Sequence, residues 1–92
     1  MKVEIEVTQD DIEKGRKNSS SSCAVALAVK RQGYVHPYVD GENIMFSCPD
    51  TDKRFTSNCT KRVTHWIVNF DEDKRVKPFR FTLNYSELSK LG

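Results

Sequence analysis

Apolar and polar residues alternate near both ends of the chain, within Lys2–Val7 and Val76–Tyr85. The apolar positions are Val3, Ile5 and Val7 in the first segment and Phe79, Phe81, Leu83 and Tyr85 in the second. Successive side chains of a strand point to opposite faces, so this period of two predicts a strand with one buried face. The sequence therefore predicts two half-buried strands.

Two other segments have helical patterns. Cys23–Arg31 begins with seven uncharged, mostly small residues, which predicts a helix buried on most of its sides. From a cap near Ser57, apolar residues then recur with a period near 3.6, which predicts a helix with one buried face. Its inward positions are Cys59, Val63, Trp66, Ile67 and Phe70, and its outward positions are Lys61, Arg62, His65 and Asn69.

Helix-capping residues mark the boundaries of these elements. Thr8 is suited to cap a short helix that Gly15 ends, since threonine accepts from unpaired N–H groups and glycine commonly follows a helix. The serine run Asn18–Ser22 is read as a loop and cap before the buried helix, and Gly33 ends that helix.

Between the helices, Asp40-Gly41 separates Tyr34–Val39 from Asn43–Ser47, a pattern typical of a β-hairpin. Pro37 lacks a backbone donor, so the first hairpin strand is predicted to lie at a sheet edge. Cys48–Phe55 is interpreted as a polar loop and Ser86–Leu91 as a short terminal turn. The expected fold is a single α+β domain over residues 1–92. Its order is β-α-α-β-β-α-β, with a mostly antiparallel sheet of about four strands and helices on one side.

Charge is distributed unevenly along the 92 residues. The net charge is +2, but residues 1–13 hold five acids and one base, and most bases come later. Ten of them form doublets at Arg16-Lys17, Lys30-Arg31, Lys53-Arg54, Lys61-Arg62 and Lys74-Arg75. The doublets are either solvated surface charge or patches for a polyanion or an acidic protein.

The start, M-K-V-E-I-E-V, does not have the pattern of a signal peptide, and no apolar run is long enough for a membrane span. We therefore expect a cytosolic protein without a membrane partner.

The residues that could carry chemistry do not form a convincing catalytic or metal site. Three cysteines, Cys23, Cys48 and Cys59, form no C-x-x-C pair, so free thiols are expected. Cys48, Cys59 and His65 are possible zinc ligands by type, but Cys59 and His65 fall on opposite helix faces. We therefore expect no metal, no cofactor, no small-molecule substrate and no catalysis, with a redox or metal enzyme as a minor alternative.

A nucleic-acid-binding alternative depends on the basic doublets and on three ring side chains. Tyr34, His36 and Tyr38 alternate onto a single face of the predicted edge strand, and rings on such a face can stack on exposed bases. Packing of these rings against the rest of the fold is the competing interpretation. No helix-turn-helix, zinc-finger or RNA-recognition motif is present.

Three segments carry a resemblance: I-E-V-T-Q-D-D-I-E-K-G at 5–15, S-S-C-A-V-A-L-A-V-K-R at 21–31 and V-K-P-F-R-F-T-L at 76–83. They resemble a group of small phage-encoded proteins, and within it the anti-CRISPR proteins that inhibit the type I-F surveillance complex. The matching segments make up roughly a third of the chain, and the middle, 34–71, has no counterpart. The resemblance implies a non-enzymatic viral inhibitor that evades host defence in the cytoplasm of an infected bacterium.

The net charge indicates how such an inhibitor would bind. A mimic of DNA would be acidic, whereas this chain is basic, so it would contact acidic surfaces of Cas subunits and the guide RNA backbone and obstruct target DNA. The alternative is a stand-alone basic nucleic-acid-binding phage protein. The candidate contact residues are Lys61, Arg62, His65, Lys53 and Arg54, followed by Lys30, Arg31 and Arg80.

Overall fold

The chain adopts the predicted α+β class in a computed structural model that describes residues 1–51 and 53–88. The strands within that part are β1 (Lys2–Val7), β2 (Val35–Val39), β3 (Asn43–Ser47), β4 (Arg54–Asn58) and β5 (Phe79–Glu87). The helices are α1 (Gln9–Lys14), α2 (Ala24–Arg31) and α3 (Lys61–Asp71). The element order is β-α-α-β-β-β-α-β, one strand more than the sequence predicts.

All neighbouring strands are antiparallel, in the order β1-β5-β4-β3-β2. The two strands with clear alternation, β1 and β5, pair directly, with Ile5 opposite Phe81. As predicted, β2 lies at an edge. Residues from β1 and β5 on the inner face are buried or partly buried, whereas Glu4 and Thr82 on the other face are exposed, so the apolar alternation indicated the inner face correctly.

The helix α2 contacts both edge strands, β1 and β2, so the sheet curls around it. Its alanines and valines are fully or nearly fully buried, which agrees with the prediction of a helix covered on most sides. Small side chains let a helix approach a sheet closely, and here the approach joins α2 and α3 to one core. The largest fully buried side chain of that core is Phe46 of β3.

The first helix is held by the residues that carry the N-terminal resemblance. Thr8 and Asp11 form a reciprocal capping box, in which each side chain accepts from the other's backbone N–H. Asp11 is buried and also accepts from Arg31 of α2 at 3.0 Å. Gly15 follows the helix in an extended conformation, with φ −67° and ψ 146°. Its glycine identity is required by close packing, because a Cβ there would lie 2.6 Å from the backbone nitrogen of Ala24.

The structure corrects three of the predicted boundaries. Arg54–Asn58, interpreted as loop and helix cap, is the strand β4, and its Ser57 is buried opposite Tyr85. The cap of α3 is Thr60, whose side chain accepts from the N–H of Val63. The terminal turn predicted over 86–91 is wrong at 86–87, which belong to β5, and the part from residue 89 lies outside the described residues.

Side chains and a loop engage some of the free backbone groups of both sheet edges. On β1, the Gln32 carboxamide accepts from the N–H of Glu6 at 2.9 Å and donates to the carbonyl of Glu4 at 2.8 Å, as a neighbouring strand would. On β2, the N–H of Val39 donates to the carbonyl of Ser20 in the serine-rich loop. Covered edges offer little template for pairing with another chain.

Candidate functional site

The exposed face of α3 carries the candidate residues Lys61, Arg62 and His65, all of them exposed as predicted. The beginning of the helix is fixed by the Thr60 cap and by the Thr64 hydroxyl, which donates to the carbonyl of Gly41 at 2.7 Å. The outward side chains line a shallow open groove together with Trp66 and Asn69. No acidic residue lines it, so the groove is cationic.

A row of aromatic rings supports this face from below. Trp66 of α3 stacks against Phe70 at 5.7 Å and against Phe79 of β5 at 4.6 Å, and Phe79 stacks on Phe81 at 5.0 Å between ring centroids. The Arg62 guanidinium lies 5.4 Å from the centroid of Phe79, within the range of a cation–π contact. The aromatic rings are therefore used within the fold, and Arg62 is positioned by one of them.

The segment that returns from α3 to β5 lies beside the same face. The indole N–H of Trp66 donates to the carbonyl of Lys77 at 2.8 Å, and Arg62 donates to the carbonyl of Arg80 at 3.1 Å. These contacts bring the exposed residue Lys77 alongside the helix, whereas Arg75 lines a separate groove with Lys17, Phe70 and Asp73. Sequence reasoning did not include Lys77 among the candidates. The K-P-F motif was visible, but nothing indicated that it would lie next to α3.

Internal ion pairs and hydrogen bonds engage several of the other candidates. Arg31 pairs with buried Asp11 and also donates to the carbonyl of Glu6. Arg80 pairs with the Glu6 carboxylate at 2.8 Å. Arg54 reaches across the sheet to the carbonyl of His36, at 2.8 Å, and to the hydroxyl of Ser47. These three arginines have partners within the fold, which the sequence alone does not reveal.

The remaining candidates do not join the α3 surface. Lys53 lies 4.0 Å from the Glu87 carboxylate, and with Arg54 it is at the opposite end of β4 from α3. Asn58 is four positions after Arg54 along the strand, a span of about 14 Å. Lys30 is exposed in the last turn of α2, where a cation favours the helix dipole. The structure thus groups Lys61, Arg62 and His65, with the backbone but not the side chain of Arg80 beside them, and does not bring in the others.

The aromatic face suggested for the edge strand does not form. His36 has a φ of 52°, and the register with β3 shifts between Val35 and Tyr38. Because of this bulge, the Tyr34 ring packs on Phe46 at 4.5 Å between centroids, whereas Tyr38 is exposed opposite Met45. The idea that three rings share one face is wrong, since a bulge changes the alternation of side chains.

The three cysteines are free thiols, as expected, in three different environments. Burial raises the pKa of Cys23, and burial together with the Asp40 charge raises the pKa of Cys59 to about 11. A hydrogen bond from the Asp50 backbone, joined by bonds from Thr51, lowers the pKa of Cys48. Among residues 1–51 and 53–88, no cluster of three metal-ligating side chains is present.

Two further findings concern membranes and relatives. Within the described part of the chain, no helix has the length and apolar character needed to cross a membrane. The main candidate binding surface is the cationic face formed by α3 together with the segment before β5. In comparisons with known proteins, no protein-family model, curated protein or solved structure matches the chain.

Proposed function

We propose that this chain is a non-catalytic phage inhibitor that binds the type I-F CRISPR–Cas ribonucleoprotein and blocks hybridisation of target DNA to the guide RNA. Its partners would be Cas subunits and the guide RNA backbone, in the cytoplasm of the infected bacterium. The choice of target comes from the resemblance of segments 5–15, 21–31 and 76–83. The mode of binding is argued from the α3 surface.

The observation that carries the proposal is a cationic surface whose charges have no internal counterions. Lys61 and Lys77 are exposed and form no ion pair within residues 1–51 and 53–88, and Arg62 contacts only a carbonyl and a ring. Unneutralised charge of one sign on a firm support attracts an oppositely charged partner and steers its approach. Inhibition by steric obstruction requires only that such a surface binds the complex and that the rest of the domain occupies the path of the target DNA.

The motif residues themselves have structural roles. Thr8 and Asp11 cap α1, Gly15 permits the approach to α2, and Phe79 supports Arg62. The segments that carry the resemblance would then build the scaffold, and the middle of the chain, 34–71, which contains α3, would provide the contacts with the target. This division supports a binding protein whose contacts lie mainly on α3.

The test is inhibition of target-DNA binding by the purified type I-F complex, with Lys61→Glu/Lys77→Glu as the altered variant. Arg62 is left unchanged because its contacts with Phe79 and Arg80 would confuse binding with stability. Lys2→Glu/Arg16→Glu changes the net charge equally at exposed residues of β1 and of the loop after α1, and is the matched control. The altered variant should lose inhibition while its thermal unfolding stays near that of the wild type.

Two results would count against the proposal. If the wild-type protein neither binds nor inhibits the complex, the target is wrong. If both charge variants inhibit as well as the wild type, the α3 surface is not the contact. Binding to free nucleic acid without any effect on the complex would favour the stand-alone nucleic-acid binder.

A further inference from the structure

The groove on the outward face of α3 lies between two rows of side chains. Residues four positions apart on a helix are neighbours, so Lys61, His65 and Asn69 form one row. Arg62 and Trp66 form the other row. The groove has a volume of about 420 Å³, which is within the range of ligand sites, and eight helix positions give it a length of about 12 Å. An extended peptide of about four residues fits this length.

Positive charge is concentrated at one end of the groove. Lys61 and Arg62 are the first two residues of α3, directly after the Thr60 cap. Cations at this end of a helix oppose its dipole, so the local stability of α3 does not account for them. Both side chains are exposed, and the residues that line the groove in the described part of the chain include no acid. This end of the groove therefore favours an anionic group.

Arg62 has donors available for such a group. A guanidinium carries five N–H donors, and one of those on Arg62 bonds to the carbonyl of Arg80. The guanidinium also lies 5.4 Å from the centroid of Phe79, so its position is fixed before any partner arrives. The remaining donors can hold a carboxylate by two parallel hydrogen bonds. Because the side chain is already ordered, binding through it costs less conformational entropy.

One helical turn further along, Trp66 provides the groove with an apolar centre. The ring is partly exposed, Phe79 stacks on one of its faces at 4.6 Å between centroids, and its N–H donates to the carbonyl of Lys77. The indole therefore presents carbon surface to the groove without a free donor. Tryptophan and arginine are enriched among the residues that contribute most to binding at protein interfaces. At the far end, Asn69 adds a carboxamide.

We infer that this groove binds an extended, acidic protein segment in which a carboxylate and a large apolar side chain are two residues apart; the inference deepens the proposed function and rests on it for the identity of the partner as a Cas subunit. Arg62 and Trp66 are about 6 Å apart along the helix, and alternate residues of an extended chain are about 6.6 Å apart on one side. The carboxylate meets Lys61 and Arg62, and the apolar side chain packs on Trp66. Asn69 can bond to the peptide backbone.

A nucleic-acid strand fits the groove less well. Its phosphates repeat along the whole strand, whereas Lys61 and Arg62 are at one end of the groove and the neutral Asn69 is at the other. Single strands are also bound by rings with a free face for base stacking, and Phe79 already covers one face of the indole. Charge at one end with an apolar ring beside it matches a peptide that has an acidic and an apolar side chain.

The experiment follows the fluorescence of Trp66, the single tryptophan of the chain, during titration with a short, capped peptide. The peptide carries two adjacent glutamates and a leucine two positions after the second glutamate, with glycine elsewhere. Reference peptides of equal length replace the leucine by glycine or both glutamates by glutamine. We expect affinity to fall about 5- to 10-fold without the leucine, because half of its apolar surface is no longer buried. Without the glutamate charges it should fall about 3- to 10-fold.

Lys61→Glu is the altered variant, and Lys2→Glu, at an exposed residue of β1, is the matched control. Lys61→Glu should weaken binding of the parent peptide about 3- to 10-fold, since it replaces an attraction by a repulsion. It should not lower the thermal unfolding temperature, because an acid favours the first turn of a helix. Lys2→Glu should bind as the wild type does. A single-stranded RNA with as many negative charges as the peptide is titrated in parallel and should bind more weakly.

The inference is overturned if Trp66 fluorescence does not respond at millimolar peptide, if loss of the leucine or Lys61→Glu leaves the affinity unchanged, or if the RNA binds as tightly as the peptide. Inhibition of the type I-F complex is measured on the same proteins, which separates the two proposals. Inhibition without peptide binding would leave the proposed function standing and remove the peptide groove. Peptide binding with the expected dependence but without inhibition would retain the groove and remove the Cas target.

Discussion

Replacing Gly15 by alanine gives a test in which two physical effects have opposite signs. Gly15 has a φ of −67° and a ψ of 146°, which alanine adopts without strain. If only the unfolded chain mattered, the substitution would stabilise the protein by about 0.4–1 kcal/mol, because alanine has less conformational freedom to lose. The packing around this residue predicts the opposite result.

An added Cβ at this position would lie 2.6 Å from the nitrogen and 2.9 Å from the Cα of Ala24, and 2.8 Å from the carbonyl oxygen of Asp11. All three are backbone atoms, which cannot rotate away as a side chain can. Overpacking of this kind costs about 1–3 kcal/mol. After subtraction of the entropic gain, we expect Gly15→Ala to lower the free energy of unfolding by about 1–2 kcal/mol.

Gly41 provides the matched control. The nearest atom to a Cβ there is the Thr64 methyl carbon at 4.0 Å, so Gly41→Ala has room and should be neutral or slightly stabilising. The assay is urea unfolding followed by the fluorescence of Trp66, with thermal unfolding as a second measure. For a domain of this size each kcal/mol corresponds to about 4–8 °C in Tm. If Gly15→Ala proved as stable as Gly41→Ala, the close approach of α1 and α2 would not explain this glycine.

Three further predictions concern the Arg31–Asp11 ion pair, the hydrogen bonds of Gln32 to β1, and the thiols. Arg31→Ala should lower the free energy of unfolding by about 1–3 kcal/mol, measured in urea, because it removes a partner of the buried Asp11 carboxylate. An unchanged midpoint would contradict that role. Gln32→Ala should speed hydrogen exchange at the Glu6 amide, measured by NMR, since that amide loses its acceptor; an unaltered rate would show that the amide is protected by something else. Cys48 should react with iodoacetamide faster than the other two thiols at a pH below the ordinary thiol pKa, because its lowered pKa increases the thiolate fraction. Mass spectrometry of the labelled peptides measures this order, and uniform labelling of the folded protein would refute it.

The strand predictions were correct where apolar residues occupy the buried positions, and a strand was missed where they do not. Alternation identified β1 and β5 and their buried faces. The strand β4 was missed because its sequence, R-F-T-S-N, has one apolar residue, and its most buried position is Ser57. A serine in such a segment is typical of a loop or a helix cap. Ser57 is a core position because it lies between Ile44 and Tyr85 of the neighbouring strands.

The candidate site was predicted only in part, because periodicity reports the orientation of residues on one helix and not contacts between distant segments. Helical periodicity correctly placed Lys61, Arg62 and His65 outward on α3. It could not show that Lys77 lies beside them, since that contact is made by a hydrogen bond from Trp66 to the return segment. The expected face of rings on β2 failed because one residue, His36, takes a positive φ.

By itself, the sequence determined most of the local structure of this protein: the three helices, the strands other than β4, the cap of α1, and the number of positive charges. Local patterns suffice for these properties because they depend on residues within a few positions of each other. Only the tertiary structure decided which cations are neutralised, since Arg31 and Arg80 meet their carboxylates across long stretches of chain. A charge can attract a partner only if no internal counterion already holds it, so the binding surface is a property of the fold and not of the basic doublets.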